Sequence, residues 1–155
     1  MTYQEATGWL FAQRRQGERG LSRIRTLLER LGHPEEAFQA VHVLGTNGKG
    51  SVVAYLEAAF RAQELAYGAY TSPHLLDFRE RIRTHRGWIL EEEVVGFVAW
   101  AKEEAWPEPP GFFDLATAMA FHHFHKKGVA WAAVEAGVGG EKDATNVLPR
   151  VALTV

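Results

Sequence analysis

The chain has 155 residues, 46% of them hydrophobic, and 17 Lys+Arg against 19 Asp+Glu for a formal net charge of −2; this is one ordinary domain, long enough to bury roughly two thirds of its unfolded surface. A near-neutral balance obliges no face to be basic and speaks against a nucleic-acid binder, while the lack of cysteine excludes disulfides, thiolate metal sites and a cysteine nucleophile. No apolar run reaches the roughly 20 residues of a membrane helix, and Met1-Thr2-Tyr3-Gln4-Glu5 lacks a basic region followed by an apolar core, so the expectation is a soluble, cytoplasmic α/β domain with no membrane partner.

In chain order, Trp9, Leu10 and Phe11 mark a short helix within Tyr3 to Arg15, and the polar, glycine-bearing stretch Arg14 to Gly20 reads as a loop. Leu21, Ile24, Leu27, Leu28 and Leu31 recur at helical spacing until Gly32-His33-Pro34 stops them. Phe38 to Leu44 (FQAVHVL) is a buried strand that runs into a glycine-rich turn, and Val52, Val53, Leu56, Ala59 and Phe60 predict a helix from Lys49 to Gln63. Leu65 to Tyr70 is a second strand, and Arg81 to Leu90 reads as a strand pair around Arg86-Gly87. Glu91 to Trp106 is helical, with three glutamates in its first turn where the helix dipole favours them. Trp106 to Gly111 (WPEPPG) is neither helix nor central strand, because its prolines lack amide donors. Phe112 to His125 is helical, Val129 to Glu135 is a buried strand followed by a glycine loop from Gly137 to Gly140, and Val151 to Val155 begins another strand. Strands alternating with helices imply an α/β fold, a mostly parallel sheet with helices on both faces. The chain ends inside that last apolar strand, which leads us to expect a piece of a longer protein.

Gly45-Thr46-Asn47-Gly48-Lys49-Gly50-Ser51 follows a buried strand and opens a helix. In that setting glycines let backbone amides approach phosphate oxygens, the helix N-terminus adds partial positive charge, and a lysine neutralises the terminal phosphates. The spacing departs from the common G-x-x-x-x-G-K-[ST] form: Val43 stands five before Gly48, and Gly50 separates Lys49 from Ser51. Glu135 ends an apolar strand, so its carboxylate emerges at the sheet's carboxyl edge, where a Mg²⁺ ion would find hard oxygen ligands; a helix-capping role is the competing reading. Thr71-Ser72-Pro73-His74 also follows a strand, with Ser72 either an N-cap ahead of Pro73 or a metal or phosphate ligand. A parallel sheet gathers all three strand ends on one edge, and the expectation that Lys49, Ser72 and Glu135 converge rests on that.

Together GTNGKGS (45–51), TSPHL with F-x-E-R-I-R (71–83), FFDLATAMAF (112–121) and VEAGVGGEKDATN (134–146) resemble the folylpolyglutamate synthase/dihydrofolate synthase family of the Mur ligase superfamily. The segment R-G-L-S-R-I (19–24) looks like that family's N-terminal helix region. The resemblance implies a P-loop-containing, Mur ligase central domain-like fold over 1–155, incomplete because a C-terminal glutamate-ligase domain is missing. It implies an ATP- and Mg²⁺-dependent ligase that joins L-glutamate to dihydropteroate or folate through an acyl phosphate, a monomer at full length. By the family pattern, Thr46, Asn47, Gly48, Lys49, Gly50 and Ser51 would bind ATP, Lys49 serving catalysis on the terminal phosphates, and Ser72 and Glu135 would ligate Mg²⁺. Gly111, Phe112, Phe113 and Asp114 would border the pterin pocket, and Lys142, Asp143 and Ala144 would lie on the pteroate side.

Asp114 stands where the family usually has glutamate, and Glu141-Lys142 replaces Arg-Leu before DATN. The family's histidine metal ligand in a D-H-T segment and its carbamylated lysine have no counterpart before Val155, so the 155-residue chain is expected to be catalytically inert. Other readings of the same loop are a small-molecule kinase, recognised by a phosphorylated alcohol as product, and a non-catalytic nucleotide-binding module. His122, His123 and His125 cannot all converge on zinc from one helical turn and read as a solvated helix end. Arg79, Arg81 and Arg83 alternate as on an exposed, solvated strand face, and the five tryptophans read mostly as core, with Trp106 beside the proline segment partly exposed.

Overall fold

The structure, a computed structural model, describes residues 1–13, 20–137 and 143–155. Five helices are described, α1 (Tyr3–Ala12), α2 (Ser22–Arg30), α3 (Lys49–Ala62), α4 (Glu91–Glu103) and α5 (Phe112–Lys126), with six strands, β1 (Gln39–Val43), β2 (Tyr67–Tyr70), β3 (Ile82–Thr84), β4 (Gly87–Trp88), β5 (Trp131–Glu135) and β6 (Val151–Thr154). The strands form one sheet in the order β4-β3-β2-β5-β1-β6. β2, β5, β1 and β6 run parallel, and the β3–β4 hairpin joins antiparallel at one side. Among the described residues no helix is long and apolar enough to cross a membrane.

The pleat sorts side chains onto two unequal faces. Phe38, Ala40, Tyr70, Ala132 and Val134 point into the main core, which α1, α2, α4 and α5 complete with Leu10, Leu27, Val98, Phe121 and Phe124. Val41, Val43, Tyr67, Ala69 and Ala133 point the other way, onto Val53 and Phe60 of α3. The short linkage between α4 and α5 works because the prolines force extended chain, while Trp106 Nε1 donates back to the Ala101 carbonyl (3.0 Å).

Three of the five helix starts have a local side-chain cause. The Thr2 hydroxyl accepts the Glu5 amide ahead of α1, the Glu93 carboxylate reaches back to the Leu90 amide ahead of α4, and Asp114 does the same for Gly111 ahead of α5. Three expectations need correction. α4 ends at Glu103, not Trp106, since the residue preceding Pro107 is biased away from helix. Arg79 and Arg81 belong to a 3₁₀ turn (Phe78–Arg81), not to a strand. Trp106 is partly exposed as expected, but the other tryptophans are not buried core: Trp9, Trp100 and Trp131 are half-buried, packed against its rim, and Trp88 is 46% exposed. A large indole with one N–H to satisfy settles at the rim more readily than in the centre.

Candidate functional site

The site grows from the end of β1. Leu44 to Asn47 cross the sheet edge exposed to solvent, and Gly48 caps α3 at φ +77°, a left-handed conformation in which a side chain would be strained. No side chain caps α3, so the amides of Lys49, Gly50 and Ser51 have no acceptor within the helix and, with the helix dipole, favour an anion there. Thr46, Asn47, Gly48, Gly50 and Ser51 are exposed around it. Half-buried Lys49 reaches across the edge, its Nζ donating to the Ala136 carbonyl at 3.1 Å.

Register brings the other groups to this point. Val43 pairs with Glu135 and Tyr70 with Val134, so β1, β2 and β5 end level with one another. Glu135 is buried and shares the α3 face with Ala133. Its Oε2 accepts the Ser72 amide at 3.3 Å. Burial pushes the Glu135 carboxyl above its ordinary range, opposed by the Ser72 amide and the charges of Lys49, Arg83 and Arg81. No helix starts at Ser72: residues 71–77 form bends, with a cis Ser72–Pro73 peptide. The competing N-cap reading of Ser72 therefore falls, and among the described residues Glu135 caps no helix but accepts the Ser72 amide. Lys49, Ser72 and Glu135 stand together on one edge.

Arg83, from β3, ties these pieces together. Its guanidinium pairs with Glu57 of α3 (Nη2 to Oε1, 2.5 Å) and donates to the Thr71 hydroxyl (2.9 Å) and to the Glu80 carbonyl. Glu80 in turn accepts the amides of Leu75, Leu76 and Asp77. Arg81 is buried, with Nε donating to His74 Nδ1 at 2.7 Å and the guanidinium over the rings of Phe112 and Phe78. Arg79 pairs with Asp77 at 2.7 Å and holds that carboxyl well below its usual range. The solvated arginine face expected from alternation is thus a set of paired groups, because the 3₁₀ turn folds Arg79 and Arg81 back onto α1, α5 and the 71–77 segment and β3 sets Arg83 against α3.

The remaining candidates divide. Phe113 lies beside Tyr70 (centroids 6.1 Å) and against Gly137, where an added Cβ would come within 2.8 Å of the Phe113 ring and 2.6 Å of Asp143 Oδ1. Phe112 instead stacks on Phe11 (5.1 Å, 20°). Asp114 caps Gly111 at 2.9 Å, and burial raises its carboxyl above its ordinary range. Asp143 is buried with both oxygens engaged: Oδ1 takes the Gly137 amide (3.0 Å), and Oδ2 takes the Thr145 amide (3.1 Å) and hydroxyl. Ala144 starts the 3₁₀ turn Ala144–Val147, and Lys142 lies outside the described residues.

The histidine expectation also changes. Only His125 is exposed, while His122 is half-buried and His123 is buried, with Nδ1 3.7 Å from Glu93 Oε2. Among the described residues no three His, Cys, Asp or Glu groups gather as a metal cage. The edge therefore combines one buried carboxylate, neighbouring hydroxyls, an ammonium and free helix amides. Such a set suits a hard divalent cation that takes its other ligands from a polyphosphate and water. Sequence reasoning missed the Arg83–Glu57 pair and the His42–Thr145 bond (2.8 Å), since neither partner shares a motif with the other.

No protein-family model matches the chain. It is 42% identical over 161 residues, all of this chain and 19% of the relative, to a probable bifunctional folylpolyglutamate synthase/dihydropteroate synthase of Haloferax volcanii. It is 38% identical over 156 residues to the dihydrofolate synthase/folylpolyglutamate synthase of Bacillus subtilis, covering 94% of this chain and 36% of that one. Among solved structures, a folylpolyglutamate synthase from Thermotoga maritima superposes with a TM-score of 0.84 at 40% identity, over 94% of this chain and 35% of that chain. A folylpolyglutamate synthase complex with AMPPCP and folate gives 0.87 at 34% identity, over 96% and 38%. A bifunctional folylpolyglutamate synthase/dihydrofolate synthase holding Mn, AMPPNP and L-glutamate gives 0.83 at 29%, over 96% and 36%. The chain thus spans from about a fifth to a little over a third of the length of the curated relatives it matches.

Proposed function

The chain belongs to the folylpolyglutamate synthase/dihydrofolate synthase family, and from that premise we propose that residues 1–155 are the ATP-binding unit of a ligase joining L-glutamate to dihydropteroate or folate. The observation that carries this reading is the meeting of Lys49, Ser72 and Glu135, with Lys49 Nζ 3.1 Å from the carbonyl next to Glu135 and the Ser72 amide 3.3 Å from its carboxylate. Thr46 to Ser51 receive the ATP phosphates through backbone amides and hydroxyls, and Lys49 leaves the Ala136 carbonyl for the terminal phosphates. Ser72 and Glu135 would hold Mg²⁺, which would supply charge neutralisation at the phosphates. The pteroate or folate carboxylate attacks the γ-phosphorus, breaking its bond to the bridging oxygen and releasing ADP, and the glutamate amine then attacks the acyl phosphate, forming the amide and releasing phosphate and a proton. Little covalent chemistry falls to side chains, so positioning and charge carry the rate.

Phe113 offers an aromatic face next to this edge, with Gly111 and Phe112 at its border. Asp114, Asp143 and Ala144 shape the pocket wall more than they touch a ligand, because both carboxylates are engaged by the chain's own amides; Lys142 remains assigned to the pteroate side by resemblance. The proposal extends to a cytoplasmic protein, monomeric at full length, whose glutamate site lies in a further C-terminal ligase domain. In calorimetry the 155-residue chain is expected to bind ATP with Mg²⁺ but to turn over no pteroate. Lys49→Ala should abolish that binding without lowering the melting temperature. Unchanged ATP affinity in that variant, or ATP- and glutamate-dependent turnover by the 155-residue chain, would contradict the reading.

A further inference from the structure

A buried polar path links the strand beneath the phosphate loop to the turn that receives Lys49. His42, on β1, is buried on the α5 face of the sheet, with its Nε2 2.8 Å from Thr145 Oγ1. The Thr145 hydroxyl donates to Asp143 Oδ2, and the Thr145 amide reaches the same oxygen at 3.1 Å. Asp143 Oδ1 accepts the Gly137 amide at 3.0 Å. The residue before Gly137 is Ala136, whose carbonyl holds Lys49 Nζ.

Proton counting fixes the direction of the path. A hydroxyl has one hydrogen, and an ionised carboxylate only accepts. Thr145 spends its hydrogen on Asp143, so only lone pairs face His42, and Nε2 of the imidazole must carry the hydrogen. Burial keeps the ring neutral by pushing it below the usual imidazole range, with the Asp143 charge opposing. The path has no slack at its far end either, since Gly137 has no room for a Cβ between Asp143 and Phe113.

We infer that His42 is a positioning residue, which as the Nε2–H tautomer orients Thr145 and Asp143 and thereby sets the Ala136–Gly137 turn that receives the Lys49 ammonium. The hydrogen-bond order stands on this geometry alone; its effect on nucleotide binding rests on the function proposed above.

The test uses the 155-residue chain. Nitrogen-15 spectra should give His42 the Nε2–H signature at neutral pH and a downfield, slowly exchanging Gly137 amide. Thr145→Val, which keeps the side-chain shape, and His42→Leu should each shift the Gly137 amide. Each should also weaken Mg²⁺–ATP binding about tenfold, the scale of one lost buried hydrogen bond. The double variant should lose no more than either single one. His42→Gln, which can place an N–H near the same point, should bind within about twofold of the parent. An Nδ1–H tautomer, a Gly137 amide that moves in neither variant, or losses that multiply in the double variant would overturn the inference. Should His42→Leu fail to fold, Thr145→Val and His42→Gln carry the decision. A parent chain that binds no Mg²⁺–ATP defeats the proposed function, while the tautomer and the Gly137 amide still decide this one.

Discussion

Glu135 is kept buried at a cost to stability. Burial raises its carboxyl above the ordinary range, so at neutral pH the folded state holds the ionised form less comfortably than the unfolded chain does. Glu135→Gln removes that charge with little change in volume. Its melting temperature should match or exceed that of the parent, while the magnesium-dependent part of ATP binding disappears. A lower melting temperature with magnesium dependence intact would remove the carboxylate from the metal site. Gly137 poses the opposite problem, of space. An alanine Cβ there would lie 2.6 Å from Asp143 Oδ1, an overpacking that should cost about 1–3 kcal/mol in urea denaturation. The glycine and lysine of the phosphate loop were legible in the sequence because their meaning is local: strand, turn and helix start within a few residues. The resemblance singles out Asp143 as well, but the partners of its oxygens are not legible, because they depend on how the chain folds back beneath Gly137.

At the scale of elements, α4 and α5 meet through Glu93, which pairs with Lys127 at 2.8 Å and faces His123 at 3.7 Å. Burial pushes His123 down to about 4, with Glu93 opposing and the lysines reinforcing. An unfolded histidine titrates near 6.5. Between these values the unfolded chain binds more protons than the folded one, so stability rises with pH and is lost as pH falls from about 6.5 through about 4. His42 and His122, also lowered by burial, add the same sign. Melting curves from pH 7 to pH 4 should therefore fall less steeply for His123→Gln than for the parent; parallel curves would refute the assignment. The helices themselves were readable from period and punctuation. His123 was misread because Phe121, His123 and Phe124 follow one another closely, and only the packing of α4 decides which part of the turn is covered.

For the molecule as a whole, the uneven coverage of the sheet matters most. Among the described residues four helices cover one face and α3 the other, and β6 pairs with β1 on one side alone. All of β6 is exposed, Leu153 by 55%, and an open apolar edge invites pairing with another strand. Sedimentation velocity of the 155-residue chain should show concentration-dependent association that Leu153→Lys suppresses; an equally associating variant would place the contact elsewhere. Strand positions, helix starts and the phosphate loop could be read in advance, since apolar period, glycine and proline act over a few residues, and the parallel alternation already implied that three motif ends share an edge. Which charges pair across that edge could not. Arg83 meets Glu57 and His42 meets Thr145 over separations of 26 and 103 residues, and contacts at such range exist only once the sheet order has set each strand against the helix or turn that supplies its partner.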